Sequence, residues 1–492
     1  MTTKLSERNV AIVGAGLAGT LMAMYLARRG WRVDIYERRT DPRLTRIHSG
    51  RSINMTLAIR GLAALSEVLE LKKILELTMP VEGRMVHEED GSLKFYPYGV
   101  NKTEIIYAIQ RSALNMRLID IAESSFPNIK VRFNHRCNMI DLKNWSVDIY
   151  DENSQEHKFI NPDFVIGADG TFSAVRQQIQ KNEYANFRQE YLENGFKELV
   201  FAAGPNNSFQ MAANVLHLWP RGRSMLMAIP NLDGTFASNC VLPFGGPEGF
   251  GRLDTPARVM EFFQDKFPDA IGLIEGLPHS FLRNPPAGFP STWADPWHSS
   301  GRVVLIGDAC HTVVPFYGLG MNAAFEDCFV LDQCIEKHSG NLGLAFSEYQ
   351  HLRKTNTDAL ADLSLQNFVE LRDKVRSTRL SARKKVFNVL HKMFPKAIVP
   401  LYTMMTHTTM PMAEALRRAK AQDRWARWLG IDIVISLVAA FQLCARLFKK
   451  TSTLRPKPAA SVPATYEISS SATQAQEPVP QKVARQKTAS YS

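Results

Sequence analysis

The chain has 492 residues, 45% of them hydrophobic and 22% charged, and a formal net charge of +11 at pH 7. That balance predicts a globular protein with a substantial core, organised as one large domain or a few ordinary ones. The positive charge favours acidic partners or an anionic membrane surface. Because no helix-turn-helix, zinc-finger or RNA-binding pattern accompanies the charge, we expect no nucleic-acid partner. The six cysteines form no CxxC pair and no Cys/His cluster, so we predict neither a metal site nor a disulfide scaffold.

A strand-helix-strand pattern occupies residues 9–37, NVAIVGAGLAGTLMAMYLARRGWRVDIYE. No apolar signal core precedes it, so we expect the chain to start directly with its fold. Gly14, Gly16 and Gly19 follow a β-branched run in GxGxxG spacing, and Glu37 ends a second strand about 20 residues later. The glycines permit a tight turn, close approach of a pyrophosphate and helix packing, and the acid suits a ribose hydroxyl. The segment predicts dinucleotide binding, and alone it fits FAD and NAD equally.

Two later segments repeat the strand-turn-helix pattern. Residues 164–176 read FVIGADGTFSAVR, and residues 305–328 read LIGDACHTVVPFYGLGMNAAFEDC. In order and spacing, GxGxxG, GADGxxSxVR and GDAxHxxxPxxGxGxN resemble the signature of the FAD-dependent aromatic monooxygenases, the para-hydroxybenzoate-hydroxylase-like family. The resemblance implies an α/β fold, with a Rossmann-like FAD-binding domain interleaved with a β-sheet substrate domain and followed by a C-terminal helical region. It also implies tightly bound, non-covalent FAD and no separate NADPH domain.

The resemblance assigns cofactor roles by position. The first glycine loop meets the pyrophosphate, Glu37 meets the adenosine ribose and Asp308 meets the ribityl chain. Asp169 braces the fold near the pyrophosphate, and Arg111 reaches the flavin from a helix. Reduced flavin carries negative charge, which backbone N–H groups at the start of the third helix would stabilise. The expected cofactor-binding residues are Gly14, Gly16, Leu17, Ala18, Gly19, Glu37, Arg38, Arg111, Asp169, Asp308, Gly318, Gly320, Met321 and Asn322.

No side chain is predicted to act as an acid, base or nucleophile. The backbone at Pro315 and Gly320 is expected near the flavin instead. Members of the family often have glutamine at the position of Leu319. The backbone role of the loop can survive this change, whereas a side-chain contact made by that glutamine cannot.

Other segments resemble the kynurenine hydroxylases within that family. They include HSGRSINMTLAIRG (48–61), GRMVHEEDG (83–91), LHLWPR (216–221) and DLSLQNFVELR (362–372), and the likeness extends over roughly residues 9–420. It implies hydroxylation of L-kynurenine to 3-hydroxy-L-kynurenine with NADPH and O₂, through a flavin hydroperoxide. The ring amino group already donates electrons, so no strong general base is demanded.

By position, Arg84 and Tyr98 match the family's contacts to the substrate carboxylate, and Asn367 and Tyr402 match other polar positions around the substrate. Arginine suits a carboxylate because its planar fork donates two parallel hydrogen bonds. Without the resemblance, Arg84 would read as a surface charge and Tyr98 as turn packing. Two alternatives stay open: a flavin hydroxylase of a quinone- or quinolone-like ring, and a membrane-tethered FAD-binding scaffold. Arg84 speaks against the first, because such rings lack a carboxylate.

The segments are expected to interleave. Residues 1–75, 102–176 and 297–335 would build the FAD-binding domain, residues 76–101 and 177–296 the sheet that covers the substrate, and residues 340–425 the C-terminal helical region.

Residues 428–447, WLGIDIVISLVAAFQLCARL, form a candidate membrane helix with tryptophans near one end and basic residues near the other. Asp432 and Gln442 weaken full spanning and leave interfacial association open. The resembling animal enzymes are held on the mitochondrial outer membrane by their C-terminal region, so we expect that location with the catalytic part facing the cytosol. Residues 451–492, rich in Ser, Thr, Pro, Ala and Gln, are expected to be disordered.

Overall fold

The computed structural model of the protein describes residues 7–44, 54–374 and 378–452. The predicted disordered tail from residue 453 onward, and the beginning of the HSGRSIN segment, lie outside these residues.

The strands are β1 Asn9–Val13, β2 Arg32–Glu37, β3 Asn54–Leu57, β4 Thr78–Val81, β5 Gly83–His87, β6 Leu93–Pro97, β7 Ile106–Gln110, β8 Ile129–Phe133, β9 His135–Asp141, β10 Ser146–Asp151, β11 Glu156–Ile160, β12 Phe164–Gly167, β13 Asn186–Phe201, β14 Val215–Arg221, β15 Ser224–Pro230, β16 Phe236–Pro243, β17 Ala287–Asp295, β18 His298–Ser299 and β19 Val303–Leu305. The α-helices are α1 Leu17–Arg28, α2 Ile59–Ser66, α3 Lys72–Leu75, α4 Arg111–Ser125, α5 Ala174–Asn182, α6 Pro256–Lys266, α7 Leu277–Arg283, α8 Asp308–His311, α9 Gly320–Lys337, α10 Leu342–Val369, α11 Thr378–Met393, α12 Leu401–Thr406, α13 Met412–Trp428 and α14 Ile431–Ser452.

A six-stranded sheet carries the three glycine-containing segments. Its order is β18-β19-β12-β1-β2-β8, and its pairs are parallel except for the antiparallel β18. In register, Val13 lies beside Gly167, and Gly167 lies beside Leu305. The three motifs that follow these residues therefore leave the sheet at neighbouring points on one edge, where ligands of open α/β sheets bind.

A seven-stranded sheet has the order β17-β13-β16-β15-β14-β5-β6 and is antiparallel except between β14 and β5. One face packs on an aromatic cluster that includes Phe201, Trp219 and Phe263. Since side chains alternate along a strand, the residues next to Trp219 in β14 point to the opposite face. That face covers the cleft described below. Two small three-stranded sheets, β11-β10-β9 and β3-β7-β4, complete the described strands.

Helices α10 to α13 form the C-terminal helical region that the sequence predicts. An apolar cluster joins α10, α12 and α13 to the rest of the protein, with Leu360 and Met404 packing in the same core as Ala58 and Leu319. A π-helical turn, Glu370–Lys374, follows α10 directly. The α/β fold with C-terminal helices is thus confirmed.

The candidate membrane segment begins differently from the prediction. Trp428 ends α13, and α14 starts at Ile431, because Gly430 adopts a φ of +68° that stops the first helix. Among the described residues no single helix has both the length and the apolar composition needed to cross a membrane. One bent pair of helices, Met412–Trp428 with Ile433–Gln442, has the length and composition to cross a membrane, and its axes meet at 87°.

Candidate active site

The first glycine loop is shaped by close packing. Gly14 has a φ of +104°, and a Cβ there would lie 2.6 Å from the carbonyl oxygen of Ala168. A Cβ on Gly19 would overlap the carbonyl oxygen of Gly14. A Cβ on Gly16 would meet no protein atom within 4 Å, because this residue faces the cleft. Two of the glycines therefore allow the turn to form, and the third leaves open space where a pyrophosphate can approach the backbone.

The acid at the end of β2 is tied to this loop. The Glu37 carboxylate accepts hydrogen bonds from the backbone N–H of Ala15 at 3.0 Å and from the Arg39 side chain at 2.9 Å. Burial opposes ionisation of Glu37, but the hydrogen bonds from Arg39 and Ala15 hold its pKa below the usual value. The carboxylate is therefore ionised beside the loop, which is the state that a ribose hydroxyl donor requires.

Two further acids lie along the same route. One oxygen of Asp169 accepts the backbone N–H of Ala174 at 2.7 Å, while Oδ1 is buried with no partner among the described residues. Burial raises the pKa of Asp169. Asp308 is open to the cleft yet lies deep inside the protein, and this burial raises the pKa of its carboxyl group, opposed by nearby Arg111. An orphaned acceptor, a cleft-facing acid and the open space at Gly16 match the hydroxyl and phosphate groups of FAD, so the residues present fit this cofactor.

The second glycine loop is held by hydrogen bonds of the Asn322 side-chain amide. Asn322 donates to the carbonyl oxygen of Thr56 at 2.8 Å and to that of Gly318 at 3.2 Å, and accepts from the N–H of Ala58 at 2.8 Å. Gly318 has a φ of +76° and also accepts the Thr56 hydroxyl at 2.8 Å. The predicted position of Asn322 near the flavin is thus filled by a side chain that holds the loop, at the N-terminus of the 18-residue helix α9.

Leu319 is 2% exposed and packs in the apolar cluster with Leu360 and Met404 of the C-terminal helices. A core residue therefore occupies the position at which the resemblance leads us to expect glutamine.

One cleft joins the cofactor loops to the predicted substrate residues. Of the predicted residues, its lining includes Gly16, Leu17, Ala18, Arg84, Tyr98, Arg111, Asp308, Pro315, Gly318, Gly320, Met321 and Tyr402. The other predicted residues do not line it: Gly14, Gly19, Glu37, Arg38, Asp169, Asn322 and Asn367. Arg38 is exposed on the surface.

In the same cleft, Arg84 lies beside a pair of tyrosines. Its Nε donates to the Tyr98 hydroxyl at 3.2 Å, and its guanidinium carbon lies 5.1 Å from the Tyr98 ring centroid and 5.9 Å from that of Tyr402. The two tyrosine rings stack at 5.3 Å with an interplanar angle of 15°. Among the described residues no carboxylate forms an ion pair with Arg84, and its electrostatic neighbours are tyrosines. A partly buried cation in aromatic surroundings without an internal anion is suited to a ligand carboxylate.

Asn367, predicted to lie near the substrate, is not among the residues that line the cleft. Its side-chain amide donates to the carbonyl oxygen of Phe316 at 2.5 Å, which anchors α10 to the turn Pro315–Tyr317. Asn367 therefore positions this turn of the cleft wall.

The sequence does not predict the wall, apolar at Leu218 and Met227, that the seven-stranded sheet contributes to the cleft. Leu218 of β14, Met227 of β15 and Asn239 of β16 form a cross-strand row, and all three line the cleft. Period-2 alternation marks these positions in each strand, but which face meets the cleft follows only from the order of the strands in the sheet. Further unpredicted lining residues are Asn54, Met55, Thr56, Ile106, Ala168, Gly170, Leu216, Ile229, Ile306, Val313, Phe316, Tyr317, Ala324 and Leu371.

Known proteins are similar to this chain in sequence and in fold. Residues 7–339 match the family described as FAD binding domain. Kynurenine 3-monooxygenase of Salinispora tropica is 41% identical over 88% of this chain and 96% of its own length. The enzyme of the same name from Dictyostelium discoideum is 37% identical over 91% of this chain and 99% of its own.

Solved structures share the fold at low identity. The tetrameric form of 2-methyl-3-hydroxypyridine-5-carboxylic acid oxygenase superposes with a TM-score of 0.61 at 19% identity, over 75% of this chain and 94% of that one. PqsL of P. aeruginosa, in complex with 2-aminobenzoylacetate, gives 0.60 at 20% identity, over 75% and 97%. With FAD-compatible loops and an arginine without an internal anion among the described residues lining one cleft, and with such relatives along nearly its whole length, the chain belongs to the kynurenine 3-monooxygenase family of FAD-dependent flavoprotein monooxygenases.

Proposed function

We propose that this protein hydroxylates L-kynurenine to 3-hydroxy-L-kynurenine, with FAD as resident cofactor and NADPH and O₂ as co-substrates. The observation that carries the proposal is Arg84, a cation without an internal carboxylate partner among the described residues, held beside the stacked rings of Tyr98 and Tyr402 in the same cleft as the flavin loop. L-Kynurenine has an α-carboxylate at one end and an aniline ring at the other, so it matches a site with a cation at one end and an apolar wall beside the flavin.

Each part of the cleft has a task in this reaction. Arg84 binds the carboxylate through its fork of N–H donors, and this fixes the direction in which the substrate enters. Leu218 and Met227 cover the ring and exclude water from it. FAD, when bound, supplies the redox chemistry that activates O₂. Among the described residues that line the cleft, Asp308 is the only carboxylic acid, and it belongs to the cofactor-binding set. These lining residues include no histidine and no lysine. We expect no strong general base to be needed, because the amino group of the ring already donates electrons to it.

The test is turnover of the FAD-loaded protein with L-kynurenine and NADPH in air. We expect kynurenine to accelerate NADPH oxidation and the product to gain one oxygen atom, measured by mass spectrometry against authentic 3-hydroxy-L-kynurenine. A quinone-like ring without a carboxylate serves as the control substrate. Oxidation of NADPH that is indifferent to kynurenine, with no oxygenated product, would refute the proposal, and oxygenation of the control ring instead would favour the alternative hydroxylase.

We propose in addition that the C-terminal helices attach the protein to a membrane, the mitochondrial outer membrane with the catalytic part facing the cytosol. Along α14, Ile433, Leu437 and Phe441 are 67%, 67% and 76% exposed and recur every fourth residue, so they share one face. Ile435 and Ala439 on the other side are buried against α11. An apolar outer face on a packed helix, with the exposed Trp428 nearby, suits the interfacial layer of a bilayer.

Flotation with liposomes tests this attachment. We expect the wild-type protein to float and the triple variant Ile433→Ser, Leu437→Ser, Phe441→Ser to stay behind. The control is Val389→Ser with Met393→Ser, which removes exposed apolar side chains from α11. Equal flotation of wild type and triple variant would contradict the proposal. In cells, protease added to intact mitochondria should remove the catalytic part, and its protection would contradict the cytosolic orientation.

A further inference from the structure

A row of buried charged side chains runs behind the cleft. Glu326 pairs with Arg60 at 2.8 Å and with Arg353 at 2.6 Å, and Arg353 pairs in turn with Asp327 at 2.7 Å. Asp327 also pairs with His311 at 2.6 Å. These five residues, here called the ion-pair ladder, have side chains between 0% and 14% exposed. None of them lines the cleft.

One end of the ladder holds the helix that carries Tyr402. Arg60 donates to the carbonyl oxygen of Met405 from Nη2 at 3.0 Å and Nε at 3.1 Å, and to that of Met410 at 3.0 Å. Helix α12 ends at Thr406, so these carbonyls lie at and beyond its C-terminus, where no helical N–H can reach them. Arg60 therefore fixes the turn between α12 and α13, and with it the position of Tyr402.

The other end holds the turn that carries Asp308. Besides pairing with His311, the Asp327 carboxylate accepts the backbone N–H of Gly307 at 3.0 Å. Gly307 has a φ of +60° and directly precedes Asp308. Burial opposes the charge on His311, but Asp327 raises the pKa of that imidazole well above its usual value. The ladder thus ends in a charged pair directly behind the acid expected to meet the ribityl chain.

A metal site is the competing interpretation of this cluster. Donor atoms of Cys310, His311 and Asp327 lie within 4.8 Å of one another. Both oxygens of Asp327 are, however, already engaged by Arg353, His311 and Gly307. A cation would have to displace the Arg353 pair, so hydrogen bonding explains the cluster better than metal binding. Apolar residues of similar size often stabilise a core at least as well as buried ion pairs do. The ladder therefore differs from an apolar core chiefly in that it fixes the positions of the groups it binds.

We propose that Arg60 and Glu326 are positioning residues that hold Tyr402 and Asp308 in register, so that substrate contact at Tyr402 is transmitted to the flavin side. The inference rests on the proposed function for the identity of the substrate. The physical link itself does not, because it predicts that loosening one end of the ladder loosens the other.

Hydrogen–deuterium exchange on the FAD-loaded full chain tests that link without any turnover. In Arg60→Met, exchange should rise in peptides covering residues 401–411 and also in those covering residues 303–312. Arg29→Met is the matched control, because Arg29 pairs with Asp332 on the same helix α9, away from α12. It should leave both regions unchanged. A rise confined to residues 401–411, or no rise, would overturn the proposal. Should Arg60→Met not fold, Glu326→Gln replaces it with the same expectation.

Kinetics supply the second readout. In Arg60→Met we expect KM for kynurenine to rise between about 5- and 150-fold, the range of ordinary coupling, with a smaller change in kcat. Acceleration of anaerobic flavin reduction by saturating kynurenine should shrink, and Arg60→Lys should restore part of it. Unchanged KM and unchanged acceleration in a folded variant would overturn the proposal. If the wild-type protein does not hydroxylate kynurenine, the proposed function fails, and the exchange experiment still decides the ladder.

Discussion

The two ends of the cleft are built by different means. At the cofactor end, glycines and backbone groups form the site. Gly14 and Gly19 fit only without a Cβ, and hydrogen bonds of the Asn322 side chain hold the loop at Gly318. At the substrate end, Arg84 and Tyr402 come from parts of the chain more than 300 residues apart and meet through side-chain contacts. Short stretches of sequence determine the cofactor end, whereas the substrate end forms only when distant parts of the chain come together in the fold.

The largest effect should come from breaking the cofactor end. Gly19→Val places atoms where the carbonyl of Gly14 already lies, so we expect loss of FAD binding and of most folded protein. Gly16→Ala meets no protein atom, so it should fold with unchanged stability and bind FAD more weakly. Flavin content and thermal unfolding of the apoprotein separate the two variants. Normal flavin content in Gly19→Val would contradict the packing argument.

Breaking the substrate end should leave the cofactor end intact. In Arg84→Met we expect kcat/KM for kynurenine to fall about 10²- to 10³-fold, because a desolvated charged hydrogen-bond pair contributes roughly 3–4 kcal/mol. Flavin content should not change, and Arg84→Lys should lie between, since lysine lacks the fork. Arg188→Met, which removes an exposed arginine stacked on Trp293 at 3.8 Å, is the matched control. A full-rate Arg84→Met would exclude the carboxylate contact.

Leu319 lies where the two ends meet. Leu319→Gln introduces the amide that the resemblance leads us to expect, but here the side chain is surrounded by apolar residues of α10 and α12. Burying that amide without partners should lower the free energy of unfolding by about 1–3 kcal/mol. Urea unfolding measures this, with Leu319→Met as the volume-conserving control. Equal stability of Leu319→Gln and wild type would mean that a partner for the amide exists.

A smaller effect concerns the reverse face of the seven-stranded sheet that carries Arg84. His217 there bonds to His87 at 2.9 Å and to the carbonyl oxygen of Ala212 at 2.9 Å, and burial lowers its pKa to about 4. The unfolded chain binds this proton more readily, so stability should fall as the pH drops from about 6.5 toward 4, by about 2 kcal/mol at pH 5. His217→Asn should flatten the dependence. An equally steep slope in that variant would assign it to another group.

The same contrast explains which parts of the site can be predicted from the sequence. The motifs at Gly14, Gly167 and Gly307 could be placed together in advance, because parallel strands deliver their carboxyl ends to one edge. The wall residue Met227 could not, since alternation gives two faces and only the sheet order selects one. Asn367 is predicted near the substrate, and its bond to the turn at Phe316 could not be foreseen from the sequence. The role of Arg60 could not be foreseen either, because the carbonyls it binds lie more than 340 residues away.

A structure of the FAD-loaded protein with L-kynurenine tests the central claim, that one cleft holds both ligands with their ends fixed by different means. We predict FAD extending from Gly16 to the loop at Gly318, and kynurenine beside it with its carboxylate on Arg84. Kynurenine bound outside this cleft, or with its carboxylate on another cation, would contradict the account.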